Sequence, residues 1–290
     1  MKNTLRQIKK IDIKTKRLVD GLISGNYHSV FKGNGIEFSE IREYKAGDDI
    51  RTIDWNVTAR YNKPFVKEFI EERDLNIYFI IDLSSSGKFG QNISKIRKSI
   101  ELIASLMFSA MQNNDNVGII LFTEEVEKFV PARKGKKHIL KMLKTILEFK
   151  PKYKTTNMKN VLNFTSKIIK RKSTIFIVSD FYSDNFLKPL KILKQKQDIV
   201  AIKISDNIEK EIPEIGLMEL EDEETGEQIL VDTSDKEFQE NYKRIIKEYE
   251  NKLNHIFKKY KIDKIEIKTD EPYEKPLKRF FKIRKNRMVK

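Results

Sequence analysis

The sequence predicts an α/β protein with a doubly wound, mostly parallel sheet. Through the middle of the chain, short apolar runs rich in β-branched residues alternate with amphipathic helical stretches, which is typical of strands joined by helical crossovers. The first run, residues 76–83, is continuously apolar, as expected of a strand covered on both faces. Short loops and right-handed crossovers would give an open sheet, whose ligands bind beyond the carboxyl ends of the strands.

The predicted core elements follow one another in chain order. Apolar periodicity predicts strands at 76–83, 116–123, 126–130, 173–180, 198–205 and 264–268, and helices at 92–112, 135–149, 157–171, 184–197 and 234–260. Thr156 is the predicted N-cap of the helix at 157–171, and a hairpin is predicted around 221–227.

Differences in turn content, apolar periodicity and charge divide the chain into four predicted segments. They are a basic N-terminal segment at 1–17, a turn-rich subdomain at 18–74, the α/β domain at 75–270 and a basic C-terminal tail at 271–290. Of the net charge of +15, residues 1–17 carry +6 and residues 275–290 carry +8, so the remaining body is close to neutral. The basic ends predict either solvated tails or contact with nucleic acid, an anionic membrane surface or an acidic partner. In the nucleic-acid reading, Phe280 and Phe281 would stack on bases.

Composition excludes several classes of protein. The chain has no Cys, which excludes disulfides, thiolate catalysis, zinc–thiolate sites and iron–sulfur clusters. No apolar run approaches the length that spans a bilayer, and the first residues lack the apolar middle of a signal peptide. We therefore expect a cytoplasmic protein, either free or peripheral to the membrane.

The most informative segment for chemistry is Asp82-Leu83-Ser84-Ser85-Ser86, at the end of the first core strand. A carboxylate and two hydroxyls on alternating residues suit a hard cation such as Mg²⁺, Mn²⁺ or Ca²⁺. Thr156, before a helix, and Asp180, at the end of another strand, fall where the same sheet edge would bring them close. The alternative to a cation site is that the same side chains serve only as helix caps and turn formers.

Enzyme classes are poorly matched. The chain lacks a Gly-x-x-x-x-Gly-Lys-Ser/Thr phosphate loop and a Gly-x-Ser-x-Gly nucleophile elbow. A minimal metal-dependent hydrolase remains an alternative, because Asp82 and Asp180 would together bind one ion and activate water.

Two parts of the chain resemble known families. The Asp82-x-Ser84-x-Ser86 strand end, with Thr156 and Asp180, resembles the metal-ion-dependent adhesion site (MIDAS) of von Willebrand factor A (vWA) domains. The stretch from His28 to Asp74 resembles the domain of unknown function 58 (DUF58) family, and the resemblance extends over about residues 20–205. The matching residues upstream are Glu37 and Phe38, Arg42 and Tyr44, Gly47 to Asp49, Arg51 to Trp55, Ala59 and Arg60, Val66 and Lys67, and Glu71 and Glu72.

The resemblance implies a vWA-like, Rossmann-like domain preceded by a small N-terminal subdomain, of a kind often found alongside MoxR-type AAA+ ATPases in bacteria, and it implies no settled activity. Because oxygen ligands converge without an identifiable nucleophile, we expect a non-catalytic protein-interaction module, an adaptor working with such an ATPase. It implies direct metal ligation by Asp82, Ser84 and Ser86, with Thr156 and Asp180 ligating directly or through water. A partner protein would supply the last carboxylate, and no small-molecule substrate is expected. Gly87-Lys88 and Asn157 depart from the family pattern, and a lysine beside the ion would compete with it electrostatically.

The segment upstream of the first core strand mixes arginines and carboxylates around the single tryptophan. These residues form either an internal ion-pair network with the tryptophan as its apolar anchor or a docking face for a partner protein. The candidate partner-binding residues are Arg42, Asp48, Arg51, Asp54, Trp55 and Arg60.

Overall fold

The structure is a computed structural model that describes residues 37–70, 75–84, 95–207, 209, 212–221 and 226–288. The chain divides into two compact units, one spanning Phe31–Leu75 and the other containing everything from Asn76 onward.

The described part of the smaller unit contains a two-stranded antiparallel sheet and one short helix. Strands β1 (Glu37–Glu43) and β2 (Phe65–Ile70) pair, and a 3₁₀ turn (Ile50–Thr52) and helix α1 (Trp55–Tyr61) lie between them in the chain. Helix α1 begins after Asp54, because the Asp54 carboxylate accepts hydrogen bonds from the backbone N–H groups of Asn56 and Val57.

The larger unit is built on a six-stranded sheet of order β10-β7-β6-β3-β4-β5. All neighbouring strands are parallel except β5, which pairs antiparallel with β4 at the edge. This arrangement confirms the predicted doubly wound, mostly parallel α/β class. The strands are β3 (Asn76–Asp82), β4 (Asn116–Phe122), β5 (Val126–Arg133), β6 (Thr174–Ser179), β7 (Asp198–Ser205) and β10 (Asp263–Lys268).

Six helices and a hairpin complete the described part of this unit. One apolar cluster joins one face of the sheet to the helices Met158–Ile168, Leu187–Lys196 and Lys236–Lys259. The helices are α2 (Lys95–Gln112), α3 (Lys136–Leu147), α4 (Met158–Ile168), α5 (Leu187–Lys196), α6 (Lys236–Lys259) and α7 (Glu274–Met288), and the hairpin pairs β8 (Leu217–Glu221) with β9 (Gln228–Asp232).

The strand order places a topological switch point beside β3. From β3 the chain runs outward through β4 and β5, and it then returns to build β6 on the other side of β3. Because Ile81 pairs with Val178, the next residues along, Asp82 and Ser179, lie side by side at the carboxyl edge. Open α/β sheets bind ligands at such an edge, so the predicted site residues fall where the fold favours a site.

Two sequence predictions are corrected. The N-cap of α4 is Asn157 rather than Thr156, because the Asn157 side chain accepts the hydrogen bond from the backbone N–H of Asn160. The predicted basic tail is largely the helix α7, in which Phe280 is 7% and Phe281 0% exposed. Since both rings are buried, the prediction that they stack on bases is wrong.

Candidate functional site

Asp82 ends β3 and is the centre of a hydrogen-bonded group. The backbone N–H of Ser84 donates to Asp82 Oδ1 at 3.1 Å, and Ser179 Oγ donates to Oδ2 at 2.9 Å. Thr156 Oγ1 lies 3.5 Å from Oδ1, at the outer limit for a hydrogen bond. The structure therefore brings hydrogen-bond donors from three separate chain segments to one carboxylate.

The loop before α4 is held at the end of β4. The backbone N–H of Asn157 donates to the carbonyl of Thr123 at 3.0 Å, and the Asn157 side chain caps α4. Thr155 turns away and donates to Glu124, so Thr156 is the threonine that reaches Asp82.

Asp180 follows β6 and faces a buried lysine of α2. Lys95 Nζ lies 3.6 Å from Asp180 Oδ2, and the same ammonium forms an ion pair with Glu209. The side chains of Lys95 and Asp180 are only 5% and 9% exposed, so these charges are shielded from water. A cation supplied by the protein therefore already lies at the predicted metal site.

A strained residue sets the direction in which the chain leaves β6. Phe181 has a φ of 65°, a left-handed conformation that is rare for a bulky residue and costs roughly 1–3 kcal/mol. Its N–H donates to Ser179 Oγ at 3.0 Å, its carbonyl accepts a hydrogen bond from Tyr249, and its ring is buried in the core. These contacts hold the conformation that places Asp180 next to Lys95.

The electrostatics of the site favour an added positive charge. Burial raises the pKa of Asp82 to about 7, and the negative charge of Asp180 raises it further, while hydrogen bonds from Ser84 and Ser179 oppose the rise. Burial likewise raises the pKa of Tyr249 to about 12, with Asp180 contributing. Asp82, Ser84, Lys95, Ser179 and Asp180 line a small cavity of about 20 Å³, which has room for a water molecule or a small ion.

The donor set fits a hard divalent cation. Within the described residues there is no group of three or more His, Cys, Asp or Glu side chains that could hold a metal, so a metal here would depend on two carboxylates and hydroxyls. Asp82, Ser84 and Asp180 supply such oxygens at the cavity, and the Thr156 hydroxyl lies 3.5 Å from the Asp82 carboxylate. The predicted ligand Ser86 lies outside the described residues, as do Gly87 and Lys88.

Sequence reasoning missed three residues of this group. Ser179 was detectable, because it lies beside Asp180 at the end of the same apolar run and the strand register sets it opposite Asp82. Lys95 and Glu209 carry no local signal, since their meeting depends on how α2 packs near the end of β7.

The six candidate partner-binding residues of the smaller unit fall into two groups. Arg42 makes two hydrogen bonds to Asp48, at 2.7 and 2.9 Å, and Asp54 pairs with Lys67 at 3.2 Å, so these three residues stabilise the unit internally. The other three, Arg51, Trp55 and Arg60, are exposed. The Trp55 side chain is 67% exposed, and it is therefore not the apolar anchor of the ion-pair network.

A protein-family model described as "Protein of unknown function DUF58" matches residues 40–252, which span both units. The chain belongs to the DUF58 family. Rv1480 of Mycobacterium tuberculosis, an uncharacterized protein, is 28% identical to this DUF58 protein over 223 residues, which are 76% of this chain and 70% of that one. YeaD of Bacillus subtilis is 28% identical over 106 residues, 37% of this chain and 25% of that protein.

Solved structures similar to this DUF58 protein include vWA-type domains. BatB from Bacteroides thetaiotaomicron has a TM-score of 0.45 at 15% identity, over 73% of this chain and 99% of that one. The vWA domain of SpRpn10 has a TM-score of 0.34 at 13% identity, over 45% and 75%. The mussel byssus protein PTMP1, in a structure with a zinc-occupied MIDAS motif, has a TM-score of 0.38 at 17% identity, over 46% and 38%. The fold class rests on the strand order and register described above.

None of the helices in the described part of this DUF58 protein combines the length and apolar character needed to cross a membrane.

Proposed function

We propose that this DUF58 protein is a non-catalytic protein-interaction module with a divalent-cation site of the adhesion type at the carboxyl ends of β3 and β6. The observation that supports the proposal is the convergence on Asp82 of hydroxyls from Ser84, Thr156 and Ser179, beside a second carboxylate, Asp180. Mg²⁺ is the preferred ion, with Mn²⁺ and Ca²⁺ as alternatives, because every side-chain ligand is an oxygen.

The chain's own residues would prepare this site before an ion arrives. Ser179 and the backbone of Ser84 orient the Asp82 carboxylate, and the left-handed Phe181 directs Asp180 toward the cavity. A bound cation would supply an open coordination position for a carboxylate from a partner protein.

We further propose that the partner belongs to a MoxR-type AAA+ ATPase system, as the family resemblance implies. The exposed Arg51, Trp55 and Arg60 of the smaller unit are suited to anchoring an acidic partner surface, because Trp and Arg contribute strongly to interfaces. Anionic lipid or nucleic acid at the basic ends remains the alternative partner.

Thermal melting with added metal tests the cation site. Mg²⁺ or Mn²⁺ should raise the Tm of the wild type, and Asp82→Ala should abolish the increase, because a ligand that binds only the folded state stabilises it. Thr156→Val is a milder variant that should weaken the increase without removing a buried charge. Asp115→Asn is the matched control, since Asp115 is also buried but precedes β4 at the opposite edge of the sheet. An equal increase in the wild type and in Asp82→Ala would reject the site.

A minimal metal-dependent hydrolase is the second candidate. The two carboxylates that line one small cavity, Asp82 and Asp180, favour it, because together they would hold one ion that activates water. The test is a screen of phosphoester and nucleotide substrates with Mg²⁺ and Mn²⁺. Turnover that is lost in Asp82→Ala would replace the interaction proposal with an enzymatic one.

A further inference from the structure

A buried lysine beside a proposed metal site is an unexpected feature. Lys95 lines the same cavity as Asp82, Ser84 and Asp180, and its ammonium lies 3.6 Å from Asp180 Oδ2. A monovalent cation and a divalent one cannot share Asp180 at low cost, because their charges repel at short range in a site shielded from water.

Glu209 offers the ammonium a second carboxylate. It forms an ion pair with Lys95, and its other oxygen, Oε2, accepts a hydrogen bond of 3.2 Å from the backbone N–H of Asp206. The backbone carbonyl of Glu209 also accepts a hydrogen bond of 2.8 Å from the Tyr242 hydroxyl. Glu209 is therefore anchored to the end of β7 and to α6, in a position that retains Lys95 if Asp180 turns away.

We infer that Lys95 is the resident cation of this site and sets its affinity for metal, with Glu209 as the carboxylate that retains the ammonium when a divalent ion takes Asp180. The inference rests on the proposed function, because it concerns the regulation of the same site. In the metal-free protein Lys95 neutralises Asp180. Metal binding requires this ion pair to break, and the remaining pair with Glu209 offsets part of the cost.

The inference predicts changes of opposite sign in two neighbouring variants. Lys95→Met keeps the aliphatic volume and removes the competing charge, so metal affinity should increase by about tenfold or more. Glu209→Gln removes the carboxylate that retains the ammonium, so Lys95 depends on Asp180 alone and metal affinity should decrease. A merely structural role for Lys95 would not produce opposite changes.

The measurement is direct binding of Mn²⁺ to the full chain, followed by the electron paramagnetic resonance signal of the free ion. Lys98→Met is the matched control, because Lys98 is a buried lysine of the same helix whose ammonium donates to the carbonyl of Thr269 instead of pairing with Asp180. It should leave the Mn²⁺ affinity unchanged. If Lys95→Met fails to fold, as judged by circular dichroism, Lys95→Gln replaces it.

Each outcome separates this inference from the proposed function. Mn²⁺ binding of equal affinity in the wild type, Lys95→Met and Glu209→Gln overturns the role of Lys95 and leaves the metal site standing. Binding by Lys95→Met alone supports the role of Lys95 and rejects metal dependence of the wild type. The absence of binding in all variants overturns both.

Discussion

Ser179 Oγ donates a hydrogen bond of 2.9 Å to Asp82 Oδ2, and this contact joins the last residues of two adjacent parallel strands, β6 and β3. The same hydroxyl oxygen accepts a hydrogen bond of 3.0 Å from the N–H of Phe181. Ser179 therefore orients a carboxylate on one strand while it supports the strained residue that follows its own strand.

Ser179→Ala should destabilise the protein by about 1–3 kcal/mol, because it leaves a buried N–H and a carboxyl oxygen without this partner. Urea unfolding followed by circular dichroism measures the change. Ser183→Ala is the control, since Ser183 is only half-buried and accepts a longer bond of 3.3 Å from the Met158 N–H. Equal losses in the two variants would contradict a special role for Ser179.

Removal of the hydroxyl should affect protein stability differently at two buried serines of α2. Within the described residues Ser109 Oγ has no hydrogen-bond partner, whereas Ser105 Oγ bonds to Glu101 and to the Tyr273 hydroxyl at 3.1 Å. Ser109→Ala should therefore leave stability unchanged or raise it by up to about 1 kcal/mol, and Ala is also the better helix former.

Ser105→Ala should instead lower stability by about 1–2 kcal/mol, because Tyr273 is buried and loses a partner. Differential scanning calorimetry of both variants under one condition gives the comparison. A larger loss in Ser109→Ala than in Ser105→Ala would show that Ser109 has a partner of its own.

The ends of the strands could be predicted from the sequence, whereas the packing of side chains around them could not. Asp82 and Asp180 could be placed at one edge because each closes an apolar run, and runs joined by helices are parallel. Thr156 lies beside Asp82 as its position before a helix predicts, but its neighbour Asn157 is the residue that caps α4. The predicted and the observed N-cap are adjacent residues, and both types can cap a helix. Only the geometry of the loop decides which of the two side chains turns toward the helix.

The helix α7 has a helical pattern of buried residues that its many charged residues obscure in the sequence. Leu277, Phe281 and Arg284 follow one another at helical spacing, and all three are buried. The density of Lys and Arg around them suggested a tail. Lys95 and Glu209 are a different case, because no local pattern indicates that two residues so far apart in the chain will meet.

The Arg42–Asp48 pair makes the smaller unit sensitive to acid. The Arg42 guanidinium, together with the N–H of Lys45, holds the pKa of Asp48 at about 2, below its ordinary value of 3.8. A carboxyl with a lowered pKa in the folded state contributes stability above its unfolded pKa, and this contribution is lost as pH falls from about 4 toward 2. The carboxyl resonance of Asp48, followed by NMR, should therefore titrate with a midpoint near 2.

Arg42→Gln should move this midpoint upward, toward the ordinary value, because it removes the guanidinium that contributes most to the shift. Arg60→Gln, which removes an exposed guanidinium from the same unit, should leave the midpoint in place. High salt should reduce the difference between the wild type and Arg42→Gln, since the pair is only partly buried. An Asp48 midpoint that does not respond to Arg42→Gln would exclude the pair as its cause.

Helix α7 should be a structural part of the larger unit despite its charge. Phe281 is fully buried, and Arg284 pairs with Asp198 and, at 3.3 Å, with Asp263. These aspartates begin the neighbouring strands β7 and β10, so the helix is held to the amino edge of the sheet, opposite the candidate site.

Phe281→Ala should lower the free energy of unfolding by about 3–5 kcal/mol, measured by urea unfolding, because it removes a large buried side chain from a packed core. Ile283→Ala, on the same helix but 42% exposed, should cost less than about 1 kcal/mol. If the two variants unfolded at the same urea concentration, α7 would be an undocked basic segment, and its lysines and arginines would again be candidates for contact with nucleic acid or anionic lipid.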